Sequence, residues 1–290
     1  MRGIVLAGGT GSRLFPVTLG VNKHLLPVYD KPMIYYPIAV LMLGGVREIL
    51  VITRSADIPS FRRVLGDGTS LGITIEYRAQ NKPQGIAEAF TIGRDFIAGQ
   101  HVALVLGDNI FFGGTLRSIL KRRARFARGA VNFAYQVSQP EQFGIVRLDG
   151  RGKPIEILEK PNPAPSNWAV TGLYFFDEQV SDIAAQMRPS ARGELEITDV
   201  NNAYLRAGKL AVEQLGRGML WLDAGTPEAL LGASQFVQTV ETRQGLKIAA
   251  LEEIAWRQGF IDSAAFAKLA KAQRGTPYAD HLRRLAGLEI

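Results

Sequence analysis

The chain has 290 residues, of which 47% are hydrophobic and 21% charged, a balance typical of a globular protein with a sizeable core. It contains no cysteine, which excludes a disulfide framework and a thiolate metal site. The net charge of +7 favours anionic partners without choosing among nucleotides, sugar phosphates and nucleic acid. No apolar run is long enough to span a membrane and no signal peptide precedes the first strand, so we expect a cytoplasmic protein without a membrane partner.

The first half of the chain alternates apolar strands with helices. The pattern predicts strands at Ile4–Ala7, Ile49–Thr53, Ile73–Tyr77 and Val102–Leu106. It predicts helices at Pro32–Leu43, Pro59–Leu65, Gly85–Ile97 and Leu116–Ala127. Because strands that alternate with helices usually pair in parallel, we expect an α/β fold whose mostly parallel central sheet carries helices on both faces.

The densest positive charge lies between Arg117 and Arg128, on the last of these helices. Leu120, Ala124 and Ala127 would face the core, so the basic residues would form a solvated face. No nucleic-acid motif or aromatic interleaving accompanies them, and we expect no nucleic-acid partner.

Beyond Ala130 the predicted elements are mainly strands, and the chain then ends in helices. The strands are expected at Val131–Val137, Ile145–Leu148, Ile155–Leu158, Val170–Phe176, Glu213–Leu215 and Leu220–Leu222. The helices are expected at Ile197–Arg206, Pro227–Val240, Leu251–Arg257, Ala264–Lys271 and His281–Leu285. We therefore expect a domain at 1–240, with halves at 1–130 and 131–240, the second smaller and β-rich. A helical C-terminal extension would follow at 241–290.

The stretch after the first strand has the composition of a phosphate-binding turn. Gly8, Gly9 and Gly11 allow a tight turn in which successive backbone N–H groups can surround an anion. Arg13 adds a forked cation and Lys23 a point charge. The stretch predicts a polyphosphate-binding site, the alternative being a plain tight turn.

Two familiar phosphate-binding turns do not match this stretch. No lysine follows a glycine at the spacing of a P-loop. A dinucleotide-binding turn requires a third glycine or alanine where this chain has Leu14, and the second strand has no acidic residue at its tip. A nicotinamide-dependent oxidoreductase is therefore disfavoured.

The pattern GGxGxRLxPxT from Gly8 to Thr18, followed by Lys23 and Pro27, resembles the signature of the sugar-1-phosphate nucleotidylyltransferases. Six further segments resemble the short-form glucose-1-phosphate thymidylyltransferases, so that the likeness covers essentially the whole chain. They are Leu25–Pro37, Leu106–Phe111, Leu158–Pro161, Ala169–Asp177, Gly193–Asn201 and Trp221–Glu228. The resemblance implies a Rossmann-like sheet, a nucleotide-binding half at 1–130 and a sugar-binding half at 131–240.

Two aspartates follow predicted strands in the same manner. Asp108 and Asp223 each follow the carboxyl end of a strand, and ligands of open α/β sheets bind at such strand ends. Either aspartate could instead cap the helix that follows it. With the resemblance, the pair indicates a Mg²⁺ site, because a triphosphate beside a sugar phosphate carries more negative charge than Arg13 and Lys23 can cancel.

The resemblance also implies roles for individual residues. Arg13 would stabilise the leaving pyrophosphate, Lys23 would contact phosphate, and Lys160 would hold the sugar phosphate; with Asp108 they form the expected catalytic set. Nucleotide contacts are expected from Leu6, Gly8, Gly9, Gly11, Ser12, Arg13, Gln80, Gly85 and Asp108, with Gln80 at the pyrimidine edge. Sugar contacts are expected from Asn109, Gly144, Glu159, Lys160, Val170 and Asp223. No protein nucleophile is needed, because the sugar phosphate attacks the α-phosphorus itself.

The implied reaction is Mg²⁺-dependent transfer of dTMP from dTTP to glucose 1-phosphate, giving dTDP-glucose and pyrophosphate on the way to dTDP-rhamnose or other deoxysugars. UTP or another hexose 1-phosphate is the nearest alternative, since one methyl group is worth only about 1–3 kcal/mol of discrimination. A sensor that binds nucleotide sugars without turnover is a more distant one.

Members of this family are typically homotetramers that a downstream dTDP-sugar inhibits at a second site. The segment from Gly245 to Ile261 resembles the part that builds that site, with Gly114 and Arg257 as candidate residues. We therefore expect a regulated homotetramer.

Three positions depart from the usual family pattern. His24, Phe143 and Trp168 stand where Gln, Tyr and Tyr are frequent. We expect His24 to be a buried, hydrogen-bonded side chain; the alternative is that it lies near the triphosphate and alters nucleotide preference or its pH dependence. The three departures bear on base and sugar identity more than on the reaction.

Overall fold

The structure is a computed structural model that describes residues 1–289. Its strands are β1 (Arg2–Ala7), β2 (Pro27–Val28), β3 (Lys31–Pro32), β4 (Glu48–Thr53), β5 (Thr74–Ala79), β6 (Val102–Leu106), β7 (Asn109–Phe112), β8 (Ala130–Gln136), β9 (Gly144–Leu148), β10 (Pro154–Glu159), β11 (Trp168–Phe176), β12 (Leu210–Leu215) and β13 (Leu220–Asp223). Its helices are α1 (Tyr35–Leu43), α2 (Ile58–Leu65), α3 (Glu88–Ile92), α4 (Arg94–Ile97), α5 (Leu116–Arg123), α6 (Val180–Ala185), α7 (Ile197–Arg206), α8 (Pro227–Gln244), α9 (Leu251–Arg257), α10 (Ser263–Ala272) and α11 (Pro277–Leu285). None of the helices in this range has the length and hydrophobicity needed to span a bilayer.

A nine-stranded sheet runs through the described chain in the order β10-β9-β11-β6-β1-β4-β5, with β8 and β12 joined to it beside β11. β1 pairs in parallel with β4 and β6, and β4 pairs in parallel with β5. β11 runs antiparallel to β6, β8 and β9. The α/β class and the mostly parallel sheet predicted from the sequence are confirmed, and the β-rich second half extends the same sheet.

The central strands are buried on both faces, which explains their unbroken apolar sequences. Successive residues of β1 point to opposite sides of the sheet. Ile4 packs in a cluster with Phe90 of α3, whereas Val5 packs in a cluster with Ile38 of α1. Helices therefore cover both faces, as predicted, and the loops after β1, β5 and β6 lie at the carboxyl edge of the sheet.

The predicted first helix begins later than expected. Lys31 and Pro32 form the short strand β3, which pairs with β2, and α1 begins at Tyr35. Proline at the predicted start therefore belongs to a hairpin, because the pairing of Val28 with Lys31 holds this segment extended.

The helix predicted at Gly85–Ile97 is also different in the structure. It consists of two short helices, α3 and α4, which are interrupted at Gly93. Gly85 lies outside both, with φ at 111°, and a side chain at this position would collide with the backbone of Leu195. The tertiary contact with the second half of the chain thus delays the start of the helix.

Besides the β2–β3 hairpin, two elements were not expected from the sequence. β7 consists of four residues and pairs with β13, in a ribbon separate from the main sheet. α6 is a six-residue helix between β11 and α7. Both are too short for a periodic hydrophobic pattern to reveal them.

The C-terminal helices pack against the body of the protein. α9 lies against α1, and Gln258 Nε2 donates hydrogen bonds to the carbonyl oxygens of Met42 (3.0 Å) and Leu43 (2.8 Å), which end α1. α8 continues to Gln244, so the predicted domain boundary at residue 240 falls inside a helix. The division at this residue stays a prediction.

A buried cluster of charges joins the β2–β3 hairpin to α8. The Lys31 and Glu241 side chains are almost fully buried, and Lys31 Nζ lies 2.8 Å from Glu241 Oε1. Lys247 Nζ lies 2.7 Å from Glu241 Oε2 and also pairs with Asp30. Glu241 further accepts a hydrogen bond from the Ile248 backbone N–H at 2.8 Å. Lys31 also pairs with Asp30, so the two carboxylates of Asp30 and Glu241 compensate the two lysines.

We expect Glu241→Ala to lower the free energy of unfolding by about 3–5 kcal/mol, because the buried Lys31 then shares the single carboxylate of Asp30 with Lys247. Asp182→Ala is the matched control, since the Arg94–Asp182 pair is exposed on both sides and its loss should cost less than about 1 kcal/mol. Urea unfolding of both variants measures the difference. Equal losses in the two variants would contradict the assigned role of Glu241.

Candidate active site

The glycine turn follows β1 and continues into a single 3₁₀ turn, Ser12–Leu14. Gly11 has φ at 66°, a conformation that favours glycine, and Thr18 Oγ1 donates a hydrogen bond to its carbonyl oxygen at 2.9 Å. The side chain of Lys23 passes alongside Gly9. The chain therefore folds back after the glycine turn, so that the charged side chain of Lys23 lies beside the turn.

Lys23 connects the glycine turn to the end of β6. Its Nζ atom forms an ion pair with Asp108 Oδ2, and both side chains are largely buried. Asp108 also accepts a hydrogen bond from Asn109 Nδ2 at 2.9 Å. Burial alone would raise the pKa of Asp108, but the Lys23 ammonium and these hydrogen bonds hold it well below its usual range.

The β7–β13 ribbon brings the second aspartate to the first. Asn109 is paired with Asp223 in the antiparallel register, and the Ala224 backbone N–H donates to the Asp108 carbonyl oxygen at 3.0 Å. Burial and the neighbouring Asp108 charge raise the pKa of Asp223 to about 6, against the opposing effect of Lys23 and Arg13. The structure thus places the two predicted metal ligands side by side.

The alternative role of these aspartates as helix caps is wrong. The N-cap of α8 is Thr226, whose side chain accepts a hydrogen bond from the Ala229 N–H at 3.3 Å. Thr115 holds the N-cap position of α5. Asp108 and Asp223 are therefore not engaged at either helix start.

The pair of carboxylates fits Mg²⁺. This ion is commonly held by one or two carboxylates together with phosphate oxygens of the substrate. Within residues 1–289 no group of three or more acidic or histidine side chains is arranged to hold a metal. Substrate oxygens and water would therefore complete the coordination of an ion bound by Asp108 and Asp223.

A cavity of about 400 Å³, the sugar-side cavity, is lined in part by Asp223. All six residues predicted to contact the sugar line it, together with one predicted catalytic residue of the glycine turn: Asn109, Gly144, Glu159, Lys160, Val170, Asp223 and Arg13. These residues come from six separate segments of the sequence, which only the fold assembles. The turn glycines and Gln80 are not part of this lining.

Glu159 and Lys160 lie at the end of β10, on the rim of this cavity. Glu159 Oε2 accepts a hydrogen bond from Thr198 Oγ1 at 2.6 Å, and its Oε1 lies 3.2 Å from Arg192 Nη2. Lys160 has φ at 45°, which is uncommon for a residue with a side chain, and its backbone N–H donates to the Phe143 carbonyl at 3.0 Å. Its exposed ammonium is available to an anion in the cavity.

Asn109 also lines the cavity, but its amide is largely used within the protein. Oδ1 accepts hydrogen bonds from Trp221 Nε1 (2.5 Å) and from the Gly172 backbone N–H (3.0 Å), while Nδ2 donates to Asp108. One amide hydrogen is left for a ligand. Asn109 therefore orients Asp108 as well as lining the sugar side.

Gln80 follows β5 and is buried beside the glycine turn. Its Nε2 atom donates to Glu88 Oε2 at 2.6 Å, and its Oε1 lies next to Gly8. Leu6 is half-buried and its carbonyl accepts from Gly107 N–H at 3.0 Å. The predicted nucleotide-binding set also contains Ser12, which is exposed, and Gly85, which like Leu6 is half-buried. Contact between these residues and a nucleotide stays a prediction.

The structure shows what surrounds each of the three residues that depart from the family pattern. His24 is buried, its Nδ1 atom lies 2.8 Å from Asn22 Oδ1, and its ring packs on Gly107. Phe143 lines the cavity and meets Trp221 edge-to-face at 5.1 Å between ring centroids. Trp168 begins β11 and is half-buried. His24 thus has the buried, hydrogen-bonded environment expected of it.

Comparison with known proteins decides the family. A family model described as nucleotidyl transferase matches residues 2–240. The chain belongs to the nucleotidyl transferase family. It is therefore an enzyme, as the sequence predicts, and the Asp108–Asp223 edge is the candidate active site of a nucleotidyl transferase.

Curated relatives of this nucleotidyl transferase carry a more specific name. A glucose-1-phosphate thymidylyltransferase of Neisseria meningitidis is 54% identical over 285 residues, which span 98% of this chain and 99% of the relative. One of Mycolicibacterium smegmatis is 53% identical over the whole of both chains. A solved Bacillus anthracis structure with sucrose, named as a glucose-1-phosphate thymidylyltransferase, is 41% identical, with a TM-score of 0.76 over 81% of this chain and 94% of that one. The resemblance recognised in the sequence is confirmed.

A second cavity of about 270 Å³ in this nucleotidyl transferase contains both predicted regulatory residues, Gly114 and Arg257. It lies among α1, α5 and α9, and shares no lining residue with the sugar-side cavity. Arg257 Nε donates to Glu253 Oε1 at 2.6 Å, and Arg117 joins the lining. The geometry makes a separate site available, and its regulatory role stays a prediction.

Several residues of the nucleotidyl transferase site were not identified from the sequence. Thr198 and Arg192 hold Glu159, Trp221 holds Asn109, and Glu88 holds Gln80. Thr198 and Trp221 lie inside segments that carry the family resemblance, so their position was a signal. Arg192 and Glu88 have no local sequence feature that would single them out.

We expect acidification to destabilise the protein partly through His24. Burial and the Lys23 charge lower the pKa of His24 from 6.5 to about 3, against the opposing effect of Asp108 and Asp57. The neutral ring is therefore favoured in the folded state, and this stability is present above pH 6.5 and lost as the pH falls toward 3. At pH 5.5 the loss should be about 1 kcal/mol.

Urea unfolding at pH 7.5 and 5.5 tests this, with His24→Gln expected to lose less stability on acidification than the wild type. His101→Gln is the control, because that ring is partly exposed and should not reduce the acid sensitivity. If the free energy of unfolding of His24→Gln depends on pH as that of the wild type does, His24 does not contribute to the acid sensitivity.

Proposed function

We propose that the protein transfers dTMP from dTTP to α-D-glucose 1-phosphate, releasing pyrophosphate and forming dTDP-glucose, with Mg²⁺ as its cation. The observation that carries this proposal is the pairing of β7 with β13, which sets Asp108 and Asp223 together beside a cavity lined by Arg13 and Lys160. The names of full-length relatives support the substrate pair.

The chemistry is one in-line displacement. An oxygen of the sugar phosphate forms a bond to the α-phosphorus of the nucleotide, while the bond from that phosphorus to the pyrophosphate oxygen breaks and the oxygen keeps the electron pair. No side chain acts as a nucleophile, so the protein contributes positioning and charge. When bound, the metal ion neutralises charge on the phosphate oxygens.

The surrounding residues divide this work. Asp108 and Asp223 hold the cation, and Lys23, next to Gly9, contacts the triphosphate. Arg13 stabilises the charge that develops on the leaving pyrophosphate. Lys160 binds the phosphate of the sugar, and the Glu159 carboxylate accepts hydroxyl hydrogens of the hexose in the cavity.

The same proposal extends to assembly, regulation and location. By resemblance the enzyme is a cytoplasmic homotetramer that supplies dTDP-glucose for dTDP-rhamnose or other deoxysugars. A dTDP-sugar that is formed later in this series of reactions binds the cavity at Gly114 and Arg257 and inhibits the enzyme. The separation of this cavity from the sugar side supports a second site.

We expect the purified protein to release pyrophosphate from dTTP and glucose 1-phosphate, and to stop when EDTA removes Mg²⁺. A panel of dTTP, UTP and other nucleoside triphosphates against several hexose 1-phosphates, scored by pyrophosphate, identifies the preferred pair. Binding of dTDP-glucose without pyrophosphate release from any pair would identify a sensor instead.

We expect Lys160→Gln to lower kcat/KM about 100-fold, because it removes the cation that binds the sugar phosphate and steadies it during the displacement. Lys153→Gln is the matched control, since Lys153 is exposed in the turn before β10 and does not line the cavity. Steady-state kinetics with varied glucose 1-phosphate measures the effect. Equal activity in both variants would remove Lys160 from the site.

A further inference from the structure

The Gln80 side chain lies against Gly8, at the start of the glycine turn, and a neighbouring carboxylate fixes it. Its Nε2 atom donates a hydrogen bond of 2.6 Å to Glu88 Oε2. The same Glu88 oxygen accepts the Gln84 backbone N–H at 3.2 Å. Gln80 is 3% exposed, and its backbone N–H donates to the Thr53 carbonyl at 2.7 Å. Both partners of the side-chain contact are therefore held in place.

The contact determines which way the Gln80 amide faces. An ionised carboxylate can only accept hydrogen bonds, so the NH₂ group of Gln80, and not its oxygen, must face Glu88. Oε1 then faces the glycine turn, where it accepts no hydrogen bond from any residue in the range 1–289. A Cβ atom at Gly8 would overlap this oxygen, so glycine leaves room for the orientation.

The edge of the amide that Glu88 does not occupy consequently has a defined pattern. Glu88 takes up one of the two Nε2 hydrogens, and the other is left beside Oε1 for a ligand. The amide presents an acceptor and a donor next to each other. Thymine and uracil offer the complementary pair, N3–H as donor and O4 as acceptor. Cytosine offers the reverse, N3 as acceptor and its 4-amino group as donor.

We propose that Glu88 is a specificity-determining positioning residue, which holds the Gln80 amide in the orientation that accepts thymine or uracil and rejects cytosine. The proposal deepens the proposed function, on which it rests, by assigning the source of selection between pyrimidine nucleotides. To pair with cytosine the amide would have to turn over, placing Oε1 against the Glu88 carboxylate without a hydrogen between the two oxygens.

Glu88→Gln is the decisive variant, because the new amide keeps the size of the side chain and can either accept from Gln80 or donate to it. The Gln80 amide is then free to turn. We expect the ratio of kcat/KM for dTTP to that for dCTP to fall about tenfold or more. The reason is that a hydrogen bond to a charged carboxylate no longer favours one orientation of the Gln80 amide over the other. The ratio for dTTP to dUTP should not change, because both bases present the same edge.

Glu76→Gln is the control, since it removes the same charge from an exposed position on β5, the strand that leads to Gln80. It should leave both ratios at the wild-type values. The dissociation constants of dTTP, dUTP and dCTP, measured by calorimetry with Mg²⁺ and without sugar phosphate, provide a readout that does not depend on turnover.

The two readouts separate the inference from the proposed function. If Glu88→Gln lowers dTTP and dCTP use equally, or leaves their ratio unchanged, Glu88 does not set base selection and the inference is overturned while the function stands. If the wild type releases no pyrophosphate but prefers dTTP to dCTP in binding, and the variant loses this preference, the function fails and the inference is supported. Wild-type protein that does not discriminate the two nucleotides overturns the inference.

Discussion

The antiparallel pairing of β7 with β13 is the constraint on which the candidate site depends. Each strand has only four residues, and a two-stranded ribbon of this size is not stable by itself. Its stability comes from packing: Ile110 lies in a cluster with Ala233 and Val237 of α8, and Trp221 packs against Phe143. The core beneath the ribbon therefore sets the distance between Asp108 and Asp223.

The charges at this edge depend on one another for the same reason. Burial and the neighbouring Asp108 charge raise the pKa of Asp223, while the Lys23 ammonium helps to hold the pKa of Asp108 below its usual range. Lys23 also lies along the glycine turn, so it joins the phosphate-binding segment to the acidic pair. A divalent cation would offset part of the negative charge that a triphosphate adds to this edge.

Close backbone contacts join the two halves of the chain around this site. Gly85 lies against Leu195, and the Leu195 N–H donates to the Gln84 carbonyl at 2.6 Å, which ties the segment after Gln80 to the second half. Gly172 approaches Asn109 in the same way, with a hydrogen bond from its backbone N–H. The nucleotide side and the sugar side are thus connected by backbone as well as by the shared sheet, which favours a fixed geometry between them.

The sequence by itself determined the α/β class, the strands with continuous apolar runs and the family, because these depend on local periodicity and on motifs of adjacent residues. It also identified six of the residues that line the sugar-side cavity, through segments that resemble the family. Only the tertiary structure decided that β7 exists, that Asp108 and Asp223 are neighbours rather than helix caps, and that Glu88 orients Gln80. Each of these features depends on a side chain or strand that meets a partner supplied by the folded chain, and neither hydrophobic periodicity nor turn composition encodes that partner.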